Sequence, residues 1–254
     1  MIQLIHKISP GPEISASLAP PAPVPAKPWR LPARGLAVFH GAGDTARLSH
    51  YFLPRLLIER RRVLFLDGAN SADPRLIARF ARERGVAFSE FSRHIQIARA
   101  FTCFQLTELI RRVPRFLQNF PAEVLIVTAL PDLYFDEDVR DWDARVAFEQ
   151  ALAGLRRAAN LPLAVAVFSS AADFAPSPAR RQFFQRLSAA AEEVWRFNLH
   201  DGFRPQLVCE RSLSVVRGQL QPAATSERRK IFQASFPKLV PAPDHEPQTT
   251  DQGA

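Results

Sequence analysis

A chain of 254 residues with 47% apolar and 23% charged residues is long enough for one sizeable core and has the composition of a globular protein. Its formal net charge of +8 and its isoelectric point near 10.4 favour a polyanionic partner, nucleic acid above all. The basic residues are nearly all arginines, so a bias of genome composition explains the same charge equally well. Charge alone therefore leaves nucleic-acid binding open.

Two cysteines, Cys103 and Cys209, form neither a disulfide framework nor a metal-ligand spacing, and we predict reduced thiols and no metal site. The first residues, MIQLIHKISPGPE, lack the long apolar run and cleavage site of a signal peptide. No run approaches the roughly 20 apolar residues of a membrane span. These features predict a cytoplasmic protein with no membrane partner.

Residues 1–34 are predicted to be a short N-terminal segment followed by a proline-rich linker. Eight prolines lie between residues 9 and 32, and such a stretch cannot hold a helix or an inner strand. Two interpretations remain open at this point. The first few residues are either a docking arm held at a distance by the linker or a disordered tail.

Short apolar runs alternate with amphipathic stretches over residues 35–217, which predicts one α/β domain with a mostly parallel sheet. The predicted strands are Leu36–His40, Val63–Asp67, Ile95–Arg99, Glu123–Thr128, Leu163–Phe168 and Val194–Leu199. The predicted helices are Arg47–Arg61, Pro74–Arg84, Phe104–Asn119 with a break at Pro114, Asp143–Ala159 and Pro178–Ala191. Several runs, such as VLIVTAL, are continuously apolar, as expected for strands covered on both faces.

The rhythm changes near the C-terminus, where the turn His200-Asp201-Gly202 predicts an antiparallel hairpin between Val194–Leu199 and Gln206–Glu210. Ser212–Val216 is a further candidate strand. Residues 218–254 are predicted to be a disordered tail that contains a short amphipathic segment, Thr225–Phe236.

The first predicted strand runs into a glycine turn and then into a helix, an architecture that cradles phosphate groups. A full P-loop reads Gly, four residues, Gly, Lys, and Ser or Thr. Here the same register ends in Ala46, Arg47 and Leu48, so the frame is present and its chemical residues are replaced. The degenerate nucleotide- or anion-binding residues are Gly41, Gly43, Asp44, Thr45, Ala46, Arg47 and Leu48.

Five segments in order resemble the RecA-like recombinase superfamily, particularly the core of archaeal and eukaryotic recombinases, over about residues 35–199. They are GAGDTARL at the Walker A position, VLFLDGANSADPRLIARFARERG, HIQIARAFTCFQLTELI, AEVLIVTALPDLYF at the Walker B strand, and RVAFEQALAGLRRAANLPLAVAVFSS. The resemblance implies a three-layer RecA-like P-loop fold, and it implies assembly with further copies or with an active paralogue.

The departures from that family fall on its chemistry. The Walker A lysine is Arg47 and the magnesium-binding hydroxyl is Leu48. The Walker B aspartate position is Thr128, and the water-orienting glutamate position is Ala69, two residues after Asp67. Phosphoryl transfer needs these groups, so we predict no catalytic residues and no bound cofactor.

Other polar residues have two interpretations each. The family places DNA-binding loops after the Walker B strand and after Phe168, where Phe174, Arg180 and Arg181 are candidates for contact with a single strand. The acidic run from Asp132 to Asp143 either holds a cation or caps the following helix. His40 either donates to a phosphate or is a turn residue. Ser169 and Ser170 have no His–Asp pair nearby in the sequence.

The sequence thus predicts a catalytically inactive RecA-like accessory protein in DNA repair or recombination that binds a protein partner and, in addition, single-stranded DNA. One alternative is a nucleotide-binding ATPase that uses Arg47 with Asp67 or Asp132, in which case ATP and magnesium bind. The other is a regulatory scaffold without a nucleic-acid role.

Overall fold

The computed structural model describes residues 31, 34–41, 45–170, 177–200, 204–216, 219–222 and 231–233. Its helices and strands alternate, which confirms the α/β class and the mostly parallel sheet. The strands are β1 Gly35–Gly41, β2 Val63–Asp67, β3 Ile95–Arg99, β4 Val124–Thr128, β5 Ala164–Ser169, β6 Glu193–His200, β7 Arg204–Val216, β8 Gln219–Pro222 and β9 Ile231–Gln233. The helices are α1 Ser49–Ile58, α2 Pro74–Glu83, α3 Phe88–Arg93, α4 Cys103–Arg111, α5 Val113–Asn119, α6 Asp141–Ala159 and α7 Phe183–Ala190.

Six parallel strands lie in the order β3-β2-β4-β5-β1-β6, and β7 adds to β6 in the antiparallel direction. The predicted antiparallel pair is therefore confirmed. The strand β7 continues through both segments that the sequence had separated, and β8 and β9 pair with it. The strand β9 lies within the predicted amphipathic segment of the tail.

Helices cover both faces of the sheet. One buried cluster joins α4, α6 and α7 to side chains such as Val38, Leu66 and Val127. The other joins α1, α2 and α3 to the alternate residues, such as Phe39, Phe65 and Ile126. Successive side chains of a strand point to opposite faces, so the continuously apolar runs bury both of their sides, as predicted.

Several predicted boundaries were wrong, and each has a local cause. The helix expected from Arg47 starts as a 3-10 turn, Thr45–Leu48, before α1 begins. The predicted break at Pro114 is confirmed, since α4 ends at Arg111 and α5 begins at Val113 with Pro114 in its first turn. The helix expected from Pro178 begins only at Phe183. The short helix α3 was not predicted, since its six residues are too few for a periodic pattern.

The helix α2 is capped at its start and ended by the residues that flank it. The Asp73 carboxylate accepts a hydrogen bond from the Arg75 amide at 2.8 Å, and Gly85 follows the helix in the left-handed region with φ 64°. The division into 1–34, 35–217 and 218–254 stays a prediction, because most of the first and last segments lie outside the described residues. No helix in the described part of the chain is long and apolar enough to cross a membrane.

Candidate functional site

The candidate site lies at the carboxyl ends of the parallel strands, where ligands of open α/β sheets bind. Three pairs of neighbouring strands send their chains to opposite faces at this edge. The strand β2 leads to α2 on one face, while its two neighbours β3 and β4 lead to α4 and α6 on the other. In the same way β1 leads to α1 and its neighbour β5 leads to α7. The predicted site residues lie at two of these divergences, between β2 and β4 and between β1 and β5.

The first predicted residue of the degenerate P-loop, Gly41, is the last residue of β1. A Cβ atom at this position would lie 2.4 Å from the carbonyl oxygen of Phe197 on β6. The close approach of these two strands therefore requires glycine here. Gly43 and Asp44 lie outside the described residues.

The 3-10 turn that follows uses its polar groups internally. The Thr45 hydroxyl donates to the Gly41 carbonyl at 3.0 Å, and the Ser49 hydroxyl donates to the Ala46 carbonyl at 2.6 Å. Leu48, at the position of the magnesium-binding hydroxyl, is buried in the core beneath α1. Of the degenerate P-loop residues described, Arg47 is the one whose side chain is exposed to solvent.

The crevice between β2 and β4 contains the three predicted degenerate catalytic positions, and the structure brings them together. Asp67 and Thr128 are partners across the two strands, and both are fully buried. The Thr128 hydroxyl donates to Asp67 Oδ1 at 3.1 Å and accepts from the Ala69 amide at 3.1 Å. The Thr128 hydroxyl therefore links β4 to the end of β2 and to the loop that follows β2.

The Asp67 carboxylate is satisfied by its own loop. Its Oδ1 accepts from the Ser71 amide at 2.9 Å and from the Ser71 hydroxyl at 3.3 Å, and its Oδ2 accepts from the Ala72 amide at 2.9 Å. The guanidinium of Arg99 lies 3.6 Å from Oδ2 and also donates to the Ala72 carbonyl. Asp67 thus organises the loop between β2 and α2, and both of its oxygens are occupied.

A buried histidine that the sequence analysis did not single out joins this loop to α1. His50 Nε2 accepts from the Asp73 amide at 3.3 Å, so the neutral ring carries its proton on Nδ1, 3.3 Å from the Ser49 hydroxyl. Burial lowers the pKa of His50 below the ordinary 6.5, although Asp67 and Asp73 act in the opposite direction. The ring is therefore a neutral structural link.

The crevice between β1 and β5 is bordered by His40, which is nearly buried. Its Nε2 lies 2.7 Å from Glu210 Oε2, and Arg196 Nε lies 3.1 Å from the other oxygen of the same carboxylate. Sequence reasoning missed this arrangement, since Glu210 is 170 residues away. Ser169 lies in register with His40 but is fully buried, so its hydroxyl is closed to a substrate.

Three aspartates of the acidic run after β4 stabilise the surrounding loops and helix. Asp132 Oδ1 accepts from the Ser170 amide at 2.7 Å, which ties the ends of β4 and β5 together. Asp141 and Asp143 lie in the first turn of α6, where negative charge stabilises the helix. Within the described ranges there is no group of three or more His, Cys, Asp or Glu side chains placed to hold a metal ion.

The predicted nucleic-acid contacts separate into three cases. Phe174 lies outside the described residues. Arg181 is exposed. Arg180 is only 3% exposed, and its guanidinium donates to the carbonyls of Tyr134, Asp136 and Val139 and to the Asp141 carboxylate. A nucleic-acid contact by Arg180 is therefore a wrong expectation, because its donors hold the loop between β4 and α6.

The fold and this edge define an α/β protein with a mostly parallel sheet whose strand-end polar residues bond to one another. No family model matches the chain, and no curated protein matches its sequence.

Proposed function

We propose that this chain is a RecA-like protein without ATP hydrolysis that acts as an accessory subunit in DNA repair or recombination. The observation that carries this proposal is the closed hydrogen-bonded set of Asp67 and Thr128. Both side chains occupy positions where the resembled family places its catalytic acids or their neighbours. Here they are fully buried and bond to each other and to their own loop.

The Walker A position supports the same proposal. A magnesium-bound phosphate needs a compact cation and a hydroxyl at the start of the helix. Leu48 supplies no oxygen and packs in the core, and the neighbouring hydroxyls of Thr45 and Ser49 donate to backbone carbonyls. Arg47 keeps the positive charge and is a different donor from lysine.

The proposal predicts no magnesium-dependent ATP turnover above the rate of a buffer blank, for the wild type and for Arg47→Ala alike. The measurement is phosphate release by the full chain with magnesium, with and without single-stranded DNA. Robust turnover that Arg47→Ala abolishes would overturn it.

A partner ATPase is the second part of the proposal. The full chain, tagged and expressed in its native cell, should co-purify with an active recombinase-like ATPase or a DNA polymerase. The control is the destabilised variant Asp67→Ala, which should retain less of the same partner. Co-purification of metabolic enzymes alone would favour the regulatory scaffold without a nucleic-acid role.

One observation favours the alternative of a nucleotide-binding enzyme. Asp132 is half-buried at the ends of β4 and β5, so an acid remains at this edge although Asp67 is fully used. Titration of a fluorescent ATP analogue with and without magnesium separates the two functions. Magnesium-dependent binding that Asp132→Asn removes would support the enzyme.

A further inference from the structure

The opposite edge of the sheet, at the amino ends of the strands, gathers twelve of the 25 arginines of the described residues. We give the name amino edge to the ends of α1, α2, α4 and α6, the short helices α3 and α5, and the segments that lead into the next strands, which are residues 34, 59–62, 82–94, 111–123, 156–163 and 191–192. It contains twelve arginines and five glutamates. The arginines are Arg34, Arg60, Arg61, Arg62, Arg82, Arg84, Arg93, Arg111, Arg112, Arg115, Arg156 and Arg157. The glutamates are Glu59, Glu83, Glu90, Glu123 and Glu192.

Topology alone produces this concentration. In a parallel sheet each crossover connection returns the chain to the amino edge, so charges that are scattered in sequence meet there. Arginine at a helix C-terminus complements the helix dipole, which accounts for one or two at each end. It does not account for Arg60, Arg61 and Arg62 in succession after α1.

The carboxylates at this edge are already paired. Glu59 bonds to Arg55, Glu83 lies 3.6 Å from Arg79, Glu90 lies 3.7 Å from Arg93, and Glu123 bonds to Arg61. Arg111 and Arg112 share Glu108 in the last turn of α4. The Glu192 carboxylate is half-buried and accepts a hydrogen bond from the Leu36 amide. The positive charge of Arg34 favours its ionised form. Eight arginines of this edge have no carboxylate within 4 Å among the described residues: Arg34, Arg60, Arg62, Arg82, Arg84, Arg115, Arg156 and Arg157.

One of these arginines occupies a backbone conformation that favours glycine. Arg60 follows the cap of α1 with φ 55°, its amide donates to the Leu57 carbonyl, and the Arg61 amide donates to the Leu56 carbonyl. These two bonds form a Schellman motif, whose left-handed residue is usually glycine. A long charged side chain is thus held outward at a position where its presence costs about 1 kcal/mol.

Arginines precede five neighbouring strands of the sheet, β3, β2, β4, β5 and β1, whereas Glu192 precedes the next strand, β6. Five strands at about 4.8 Å span about 19 Å, so the edge is long enough to contact more than one phosphate of a nucleic acid. Aromatic rings lie at the same edge. Phe88 is 46% exposed, and the Arg62 guanidinium lies 5.9 Å from the centre of the Phe120 ring.

From this arrangement we propose that the amino edge binds the phosphate backbone of a single-stranded nucleic acid. Arginine presents a planar set of donors to phosphate, and exposed rings stack on unpaired bases. A membrane surface fits less well, because Ile58 and Phe88 are the large apolar side chains exposed at this edge in the described part of the chain. This inference goes beyond the proposed function, since it concerns the edge opposite the degenerate nucleotide site.

The test uses the full chain and a fluorescent 20-nucleotide deoxythymidine oligomer, with anisotropy measured from about 0.05 to 0.3 M salt. The edge variant carries Arg60→Gly, Arg62→Gln and Arg156→Gln. The matched control removes three exposed arginines where helices begin, by Arg75→Gln, Arg140→Gln and Arg145→Gln. Both variants have the same net charge, so they separate a located surface from general attraction. Circular dichroism and urea unfolding verify that both are folded.

The wild type is expected to bind with an affinity that falls steeply with salt. Each phosphate contact contributes about 0.7 to the salt slope. The edge variant should therefore lose about 2 from that slope and about 100-fold in affinity at 0.1 M salt, while the control stays within about threefold of the wild type. Equal losses in both variants would overturn the proposal, and so would no binding by the wild type. Binding to anionic phosphatidylserine vesicles without binding to the oligomer would overturn it as well. ATP turnover would overturn the proposed function and leave this result intact.

Discussion

The two edges of the central sheet hold charged side chains in opposite ways. The loops that lead from strands to helices contain four described arginines and five carboxylates. Two charged side chains at this edge are internal, Arg180 in the loop after β5 and Asp67 at the end of β2. The amino edge has an excess of arginines, most of which are exposed to solvent. The two buried charges at the carboxyl ends therefore stabilise the fold, whereas the exposed arginines at the amino ends are accessible to a partner.

If this comparison is right, the largest loss of stability comes from Asp67→Ala. The change leaves the amides of Ser71 and Ala72 and the Thr128 hydroxyl without their acceptor in a buried site. We expect the free energy of unfolding to fall by about 3 to 4 kcal/mol, measured by urea titration. The exposed Asp73→Ala, which removes only a helix cap, should cost about 1 kcal/mol. Similar values for the two variants would contradict the structural role of Asp67.

Arg180→Ala comes next, with an expected loss of about 3 kcal/mol. Three backbone carbonyls and the Asp141 carboxylate lose their donor, and the loop between β4 and α6 is released. Its neighbour Arg181 is exposed, so Arg181→Ala should stay within about 0.5 kcal/mol of the wild type. Thermal unfolding of the pair measures the difference. If Arg180→Ala is as stable as the wild type and binds single-stranded DNA more weakly, Arg180 contacts the nucleic acid and does not hold the loop.

Gly41→Ala tests whether this glycine serves packing or phosphate binding. The added methyl group would meet the Phe197 carbonyl at 2.4 Å and force β1 and β6 apart, at an expected cost of about 2 kcal/mol. The measurement is the urea midpoint, with titration of the fluorescent ATP analogue as the second readout. Unchanged stability together with lost binding of the analogue would support the nucleotide-binding alternative.

At the amino edge, removal of a charged side chain should raise the free energy of unfolding instead of lowering it. Arg60→Gly relieves the left-handed backbone and is expected to raise the free energy of unfolding by about 0.5 to 1 kcal/mol. The same variant should weaken binding of the deoxythymidine oligomer. A variant that is more stable and binds more weakly would show that Arg60 serves binding and not the fold, in contrast to Asp67 and Arg180. A destabilised Arg60→Gly would show that the side chain supports the fold.

The smallest effect concerns pH. Because burial lowers the pKa of His50, the unfolded chain binds a proton more readily than the folded one. The contribution of His50 to stability is therefore complete above about pH 6.5 and is lost as the pH falls through the lower pKa of the folded state. Unfolding free energies at about pH 7.5 and 5.5 should differ more for the wild type than for His50→Gln. Equal differences would place the pH dependence on other groups, such as Asp73.

Sequence periodicity predicted the α/β class, the six strands of the parallel part and the antiparallel pair that follows. These features are local, since a continuously apolar run marks a covered strand and a proline marks a break. The prediction also placed Asp67, Thr128 and the degenerate P-loop at strand ends. It did not find the His40–Glu210 pair or the link between His50 and Asp73, because each depends on segments that meet only through tertiary packing.

For this protein the sequence by itself determined which residues are apolar, where the strands lie, and which polar residues stand at the strand ends. Only the tertiary structure decided what the remaining charges do. Arg180 and Arg181 are adjacent in sequence, yet one is buried among carbonyls and the other is exposed. The arginines of the amino edge are dispersed over more than 120 residues and share one edge only because the crossover connections of a parallel sheet return the chain to it.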